Sequence, residues 1–210
     1  MRSQNEVIMQ GRITYARKTE QGRTVFVVEM HEGRERSNTV RWTYNGDLPD
    51  SIGRGSKVEV KGYVVAYSQR DRETGARRNV QYFIAETVAR AKTAIEEEWN
   101  LRGNFYKPDY FVGKFAGEVV RTFNIREGWG NLVVLVDSDN LNRMASQITF
   151  SYRKTERFPD LEKYKEGDPV YLITSINTNK KTLDGQRVAF ENMLIEDIAK
   201  GRKPLAEKAG

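Results

Sequence analysis

The sequence has no cysteine and only one histidine, and these shortages exclude several kinds of chemistry. Without cysteine the chain has no disulfide framework, no thiolate nucleophile and no cysteine-based zinc site. His31 lies in the polar stretch HEGRERSN with no second histidine beside it, so we expect neither metal ligation nor a catalytic triad. We predict a protein that is not an enzyme and that needs no metal and no other cofactor. The alternative left open is an enzyme in which the fold alone brings together an acid-base pair of carboxylates.

Long apolar runs are also missing. No segment approaches the 18 consecutive apolar residues typical of a membrane span, and the first ten residues, MRSQNEVIMQ, contain no apolar core of a signal peptide. We therefore expect a cytoplasmic protein that has no membrane partner.

The chain of 210 residues is long enough for two small domains, and its 10 Tyr, 9 Phe and 3 Trp are typical of a folded chain. The 35 Lys and Arg outnumber the 29 Asp and Glu, for a formal net charge of +6. An excess of positive charge favours polyanionic partners or acidic surfaces, although it does not identify one.

One sequence pattern occurs twice in the chain. VRWTYNGDLPD at 40–50 and ITFSYRKTERFPD at 148–160 share alternating apolar residues and a Pro-Asp ending. The match extends outward at an offset that drifts from 106 to 112, from Gly11 with Gly117 through Gly22 with Gly130 to Gly55 with Gly167. Because the offset changes in turns and loops, we interpret the chain as two copies of one fold.

Each copy contains five runs rich in Val, Ile, Phe and Tyr, separated by turn residues. The runs span 6–18, 23–30, 38–44, 57–68 and 80–89, and then 115–123, 131–137, 145–152, 169–179 and 187–198. A short helical or irregular connector follows the third run of each copy. This pattern predicts an all-β chain with short helices, built as two tandem OB-folds, which are five-stranded Greek-key barrels.

The predicted boundaries are an N-terminal OB-fold domain at 1–92, a linker at 93–110, a C-terminal OB-fold domain at 111–200 and a mobile tail at 201–210. The linker begins with a helix-compatible, charge-mixed stretch and ends in Gly and Pro.

Copy one resembles a known family. Its run from NEVIMQGRITYARKTEQGRTVFVVEM through NTVRWTYNGDLPDSIGRGSKVEVKGYV to YFIAETV resembles the bacterial single-stranded DNA-binding proteins over about ninety residues. The most specific parts are NEVIMQGRI and GRGSKVEVKGYV, whereas copy two resembles copy one more than it resembles the family. The resemblance implies binding of single-stranded DNA in replication, recombination or repair. Replication or recombination proteins are then candidate partners.

The chain departs from that family in two respects. It ends in KGRKPLAEKAG rather than an acidic tail with an apolar tip, so we do not expect recruitment of other proteins through such a tail. It also carries two OB-folds where most members carry one and form tetramers, so a homodimer with four barrels and a monomer with two both fit. A chain with two OB-folds and no acidic tail resembles the versions of this family that phages or mobile elements encode.

Binding single-stranded DNA without sequence preference requires a basic groove with aromatic platforms for the bases. In an OB-fold the second and third strands and the loops after strands one and four form the binding surface. The candidate contacts from the loops are Arg12, Arg17, Lys18, Tyr67, Arg70, Arg72, Arg77, Arg78, Tyr82, Trp129, Lys180, Lys181 and Arg187. The alternative for the two charged hairpins is that their Arg and Lys residues only keep the loops soluble. The alternative for Trp129 is that it packs between the domains.

The candidate contacts from the strands are Arg41, Trp42, Tyr44, Lys61, Tyr63, Phe150, Tyr152, Arg153 and Tyr171. Alternation places Trp42 on the apolar face of its strand and Arg41 on the other, so Trp42 and Phe150 are either core residues or, if a bulge shifts the register, stacking platforms. An OB-fold that binds RNA or docks a protein would show the same pattern, and fold alone does not decide between these functions.

Overall fold

A computed structural model describes residues 4–32, 36–70, 75, 77–91, 109–136, 145–155, 161, 163–183 and 186–201. Ten β-strands account for most of them, and no helix occurs within these ranges. The predicted connector at 50–55 consists of turns, which is the irregular one of the two expected forms. The predicted linker and tail lie outside the described residues except for Asp109, Tyr110 and Gly201.

The strands follow the two predicted sets of five and are mostly longer than the sequence pattern indicated. They are β1 Gln4–Lys18, β2 Thr24–Glu32, β3 Arg36–Tyr44, β4 Lys57–Arg70, β5 Arg77–Arg90, β6 Tyr110–Arg126, β7 Trp129–Val136, β8 Ser146–Arg153, β9 Pro169–Leu183 and β10 Gln186–Lys200.

Each set of five closes into a barrel. In the first barrel β1 pairs with β2, β2 with β3, β3 with β5 in parallel, β5 with β4, and β4 with β1 again. In the second barrel β6 to β10 repeat this circuit, including the parallel pair of β8 with β10. The chain is therefore an all-β protein of two tandem OB-folds.

The apolar faces of the strands fill the barrels, and this corrects three candidate contacts. Trp42 and Phe150 have no exposed surface, and Tyr152 is only 6% exposed, with its hydroxyl bonded to Asn124. Trp42 packs edge-on against Phe83, and Phe150 against Phe115. No bulge shifts the register of β3 against β2, so the core interpretation holds and these three side chains do not reach a binding surface.

Irregularities of the strands recur at equivalent positions in the two barrels. The register of β1 against β2 shifts between Ile13 and Tyr15, and that of β6 against β7 between Val119 and Arg121, an offset of 106. Glu86 and Glu196 are skipped in the ladders of β5 and β10 respectively. Bulges at the same places are a structural signature of the repeat that does not depend on residue identity.

The structure corrects one position of the alignment. Gly22 and Gly128 both occupy tight turns, with φ of 73° and 71°, so the offset there is 106. Gly130 instead lies in β7 against the ring of Tyr152, where a Cβ would collide with the ring.

A two-fold pseudosymmetry joins the barrels. β1 pairs antiparallel with β6, and at the centre of the ladder Val7 faces Gly113, its own counterpart at the offset of 106. The ladder is reciprocal, since Gln4 pairs with Ala116 and Gln10 with Tyr110. The pseudo-dyad axis therefore passes between Val7 and Gly113, and one ten-stranded sheet runs through both barrels.

Four hydrogen bonds between the barrels form two pairs related by this pseudo-dyad. The backbone N–H of Arg41 donates to Glu191 Oε1 at 3.3 Å, and the equivalent N–H of Thr149 donates to Gln81 Oε1 at 2.7 Å. A second pair consists of Thr178 N to Asn38 Oδ1 at 2.8 Å and Ala66 N to Ser146 Oγ at 3.3 Å. Each barrel thus satisfies backbone donors of the other, which fixes how their outer faces meet.

The contact between the two barrels, which we call the joint, includes one tyrosine whose pKa is strongly raised. Tyr110, at the start of β6, donates its hydroxyl proton to Glu59 Oε2 on β4. Burial, and then the hydrogen bond to Glu59 and its negative charge, raise the pKa of Tyr110 to about 12 from its ordinary 10.0. A pKa that is higher in the folded state stabilises the fold fully below pH 10.0, and this stabilisation is lost as the pH rises to about 12.

We expect Tyr110→Phe to remove that pH-dependent loss, because phenylalanine has no proton to release. Thermal unfolding of both proteins from neutral pH to pH 12 measures this, and the difference between their melting temperatures should narrow above pH 10. A constant difference over the whole range would contradict the link between Tyr110 ionisation and the joint.

Candidate functional site

The outer faces of the two barrels meet in a cleft of about 550 Å³. Its walls come from the outer sides of β3 and β5 in the first barrel and of β7, β8 and β10 in the second, with a contribution from β4. The third strand of each barrel therefore faces the hairpin of strands four and five from the other barrel, and β7 lines the cleft beside β8. The pseudo-dyad thus brings strand residues of one barrel and hairpin residues of the other into one cleft, although the sequence analysis treated the two barrels as separate binding surfaces.

Arg41 lies on the outer face of β3, as its alternation with Trp42 predicted, and its side chain lines the cleft. Its guanidinium group makes no hydrogen bond or ion pair to any residue within the described ranges. A charged group on a cleft wall with five unused N–H donors is suited to a phosphate or a base edge.

Glu191, opposite Arg41, is the main negative charge of the cleft. Burial raises the pKa of this carboxyl group, while hydrogen bonds to backbone N–H groups and the charge of Arg41 act in the other direction. The counterpart of Glu191 across the pseudo-dyad is Gln81, which supplies the same acceptor without a charge.

Two exposed tyrosines extend from the cleft along the β4–β5 hairpin. Tyr67 is 50% exposed and Tyr82 41%, and their ring centroids are 5.9 Å apart with the ring planes inclined by 56°. The two rings lie diagonally across the ladder, because Tyr67 pairs with Val80 and Tyr82 with Val65. Large rings held in place by a sheet and open to solvent are ready platforms for stacking.

A second aromatic site lies at the start of β7. The guanidinium carbon of Arg126 lies 5.4 Å from the centre of the Trp129 ring, and Arg153 is directly across the β7–β8 ladder from Trp129. Trp129 is partly exposed on the same side of β7 as Asn131, which lines the cleft. Of the two interpretations of Trp129, this position agrees with an aromatic platform beside two arginines.

Sequence reasoning missed the end of β6 as an apolar surface. Phe123 is 41% exposed and Ile125 56%, and Arg121 lies 5.4 Å from the centre of the Phe123 ring. The alternation of these three residues in RTFNIR was the available signal. The same alternation marks the buried face of a strand, so it does not by itself distinguish an exposed apolar surface from the core.

Comparisons with known proteins show what kind of fold holds these groups. No family model matches the chain, and no curated protein matches it. Among solved structures, the wild-type single-stranded DNA binding protein from Thermus aquaticus is similar over 99% of this chain and 97% of its own, with 14% identity and a TM-score of 0.64. A deletion variant of that protein is similar over 99% and 98%, with 14% identity and a TM-score of 0.65. The two chains share the tandem OB-fold.

Within this tandem OB-fold several candidate contacts lie away from the cleft. Lys61, Tyr63 and Tyr171 are on the outer faces of β4 and β9, and the ladders through β1 and β6 connect these strands on one broad surface. Lys61 forms an ion pair with Glu59 at 3.4 Å. This surface is separate from the cleft, so these three residues do not belong to the same site.

The remaining described candidates are distributed over the barrels. Arg12 donates to the carbonyl of Gly55 at 2.7 Å, and Lys18 pairs with Asp47 at 2.8 Å, so both already have partners in the first barrel. Arg17 and Lys180 are exposed, while Tyr44 is partly buried against the core. Arg72 lies outside the described residues, and so do the side chains of Arg70, Arg77, Arg78, Lys181 and Arg187.

The described part of the chain contains no cluster of His, Cys, Asp and Glu suited to a metal ion. Nor does that part contain a helix long and apolar enough to cross a membrane.

Proposed function

We propose that this protein binds single-stranded DNA with little sequence preference and covers it during replication, recombination or repair, without catalysing a reaction. The bases stack on Tyr67, Tyr82 and Trp129, while Arg41, Arg126 and Arg153 contact phosphates. Loop arginines of the β4–β5 hairpin add to the attraction. The net charge of +6 favours such a polyanion.

One observation carries the proposal: exposed aromatic rings of both barrels, Tyr82 and Phe190, line a single cleft together with Arg41. Tyr82 and Arg41 come from the first barrel, and Asn131, in line with Trp129, from the second. A strand crossing from one barrel to the other meets a platform and a positive charge on each side. Supporting it are the resemblance of copy one to single-stranded DNA-binding proteins and the fold shared with the Thermus aquaticus protein of that name.

The test is a binding titration with fluorescently labelled oligo-dT, followed by anisotropy at several salt concentrations. We expect tight binding at low salt and a plot of log K against log salt that falls by about 0.7 for each phosphate contacted. Trp129 fluorescence should be quenched as bases stack beside it, whereas the buried Trp42 should contribute little change.

Parallel titrations with oligo-U and duplex DNA separate this function from its alternatives. Binding of oligo-U alone would identify an RNA-binding protein. An absence of binding to all three at low salt would overturn the proposal and favour a protein-docking OB-fold. For protein partners, we propose replication or recombination proteins and a second copy of the chain, to be sought by sedimentation in the presence of oligo-dT.

A further inference from the structure

The cleft between the barrels contains groups that stacking and phosphate contacts do not require. Its volume of about 550 Å³ lies within the usual range of ligand-binding pockets. Besides Arg41 and Tyr82, its walls include the side-chain amides of Gln81 and Asn131 and the ring of Phe190, which is 41% exposed. The amide oxygens of Gln81 and Asn131 have partners within the protein, but a binder that ignores sequence has no need for their NH₂ groups in such a place.

The hydrogen bonds of these amides leave donors available. Gln81 Oε1 accepts from the backbone N–H of Thr149, which can only donate, so the orientation of the Gln81 amide is determined. Its NH₂ group has no partner among the residues that the structure describes. Asn131 Oδ1 accepts a hydrogen bond from the Ser151 hydroxyl at 2.9 Å. The NH₂ group of Asn131 likewise has no partner within the described ranges. With the guanidinium group of Arg41, three side chains from two barrels present N–H donors to the cleft, while Glu191 supplies a charged acceptor on the same walls.

The aromatic rings complete the chemistry. Tyr82 and Phe190 belong to opposite barrels, since β5 is in the first and β10 in the second, and both line the same cleft. Exposed rings beside unused donors suit a flat heterocycle with carbonyl groups on its edge. Thymine and guanine carry such acceptors, whereas cytosine and adenine present an amino group at the corresponding position.

We propose that the cleft reads one property of a base, accepting a keto base (thymine, uracil or guanine) in preference to an amino base (cytosine or adenine). The inference rests on the proposed function, and it limits the sequence tolerance of that function at one site. An amino base in the cleft would set donors against the NH₂ groups of Gln81 and Asn131. A keto base would satisfy them.

The experiment compares oligo-dT with oligo-dC of equal length by anisotropy at one salt concentration. Both are pyrimidine strands with the same phosphate charge. Because thymine and cytosine differ in stacking, the preference is assigned to the cleft by its change in the variants below. We expect oligo-dT to bind roughly tenfold more tightly, within the range for discrimination by paired hydrogen bonds to one base. If neither strand binds, the proposed function fails; if both bind equally well, only the base preference fails.

Gln81→Glu is the decisive variant. It retains the acceptor for Thr149 N–H, as Glu191 does for Arg41 N–H across the pseudo-dyad, but replaces the free NH₂ group with an acceptor. We expect the ratio of the two affinities to fall toward one, even if the added charge weakens both. Glu191→Gln is the matched control, because it adds a donor and removes a charge, and it should preserve or increase the ratio.

An unchanged ratio in Gln81→Glu would overturn the inference. Asn131→Asp makes the same exchange of donor for acceptor on β7 and carries the test if Gln81→Glu does not fold. Circular dichroism of each variant establishes folding before the titration.

Discussion

Trp42→Ala is expected to lower the free energy of unfolding by about 3 to 5 kcal/mol, the usual cost of removing a large ring from a core. The side chain has no exposed surface and fills the first barrel against Phe83, with the two ring centroids 5.5 Å apart. Because the ring cannot reach a ligand, its loss should act on stability and not directly on binding. Urea unfolding followed by circular dichroism measures the effect.

Trp42→Phe is the matched variant. Trp42 Nε1 is buried and has no hydrogen-bond partner among the described residues, so a phenyl ring keeps most of the packing and removes an unsatisfied donor. We expect a much smaller loss of stability than for Trp42→Ala. If Trp42→Ala unfolded at the same urea concentration as the wild type but lost affinity for oligo-dT, Trp42 would be a platform and its place in the core would be wrong.

The faces of the strands could be predicted from the sequence because a barrel buries one side of every strand. Alternation is then sufficient: Val58, Val60 and Val64, which share one face of β4, are fully buried, and Tyr67 on the other face is exposed. Turn glycines and the repeat located the ends of most strands. The polar hairpin at 69–79 has no alternation, so the extension of β4 to Arg70 and the start of β5 at Arg77 were not predicted.

The relation of the barrels could not be predicted because it depends on contacts remote in sequence. Arg41 and Glu191 are 150 residues apart, and nothing near either residue indicates the hydrogen bond between them. Val65 shows the same limit. Alternation places it on the outer face of β4 with Lys61 and Tyr63, yet it is only 6% exposed. It lies next to Ala66, whose N–H donates to Ser146 of the second barrel.

The candidate site was predicted in its parts and not as a whole. Arg41 and Tyr82 were identified from charge, parity and hairpin position, which are local properties. Gln81, Asn131 and Phe190 were not, because neutral amides and single aromatic residues have no distinctive pattern. They gain significance only because the pseudo-dyad places the hairpin of each barrel over the third strand of the other, with β7 beside β8.

Replacing both Tyr67 and Tyr82 with alanine should weaken oligo-dT binding by at least about 30-fold. Stacking of a base on an aromatic side chain contributes about 1 to 3 kcal/mol, so two platforms at the lower bound give about 2 kcal/mol. Both rings are 41% exposed or more, and they contact each other at a centroid distance of 5.9 Å. Their loss should therefore cost stability only about 0.5 to 1.5 kcal/mol, the value of such a ring pair.

The double Tyr67→Phe, Tyr82→Phe variant distinguishes the ring from the hydroxyl group. If the bases stack, this variant should bind oligo-dT nearly as tightly as the wild type, because phenylalanine offers the same π-face. A loss as large as that of the alanine variant would mean that the hydroxyl groups make the contact. Full affinity in the alanine variant would remove the hairpin from the path of the strand and leave Trp129, beside Arg126 and Arg153, as the remaining platform.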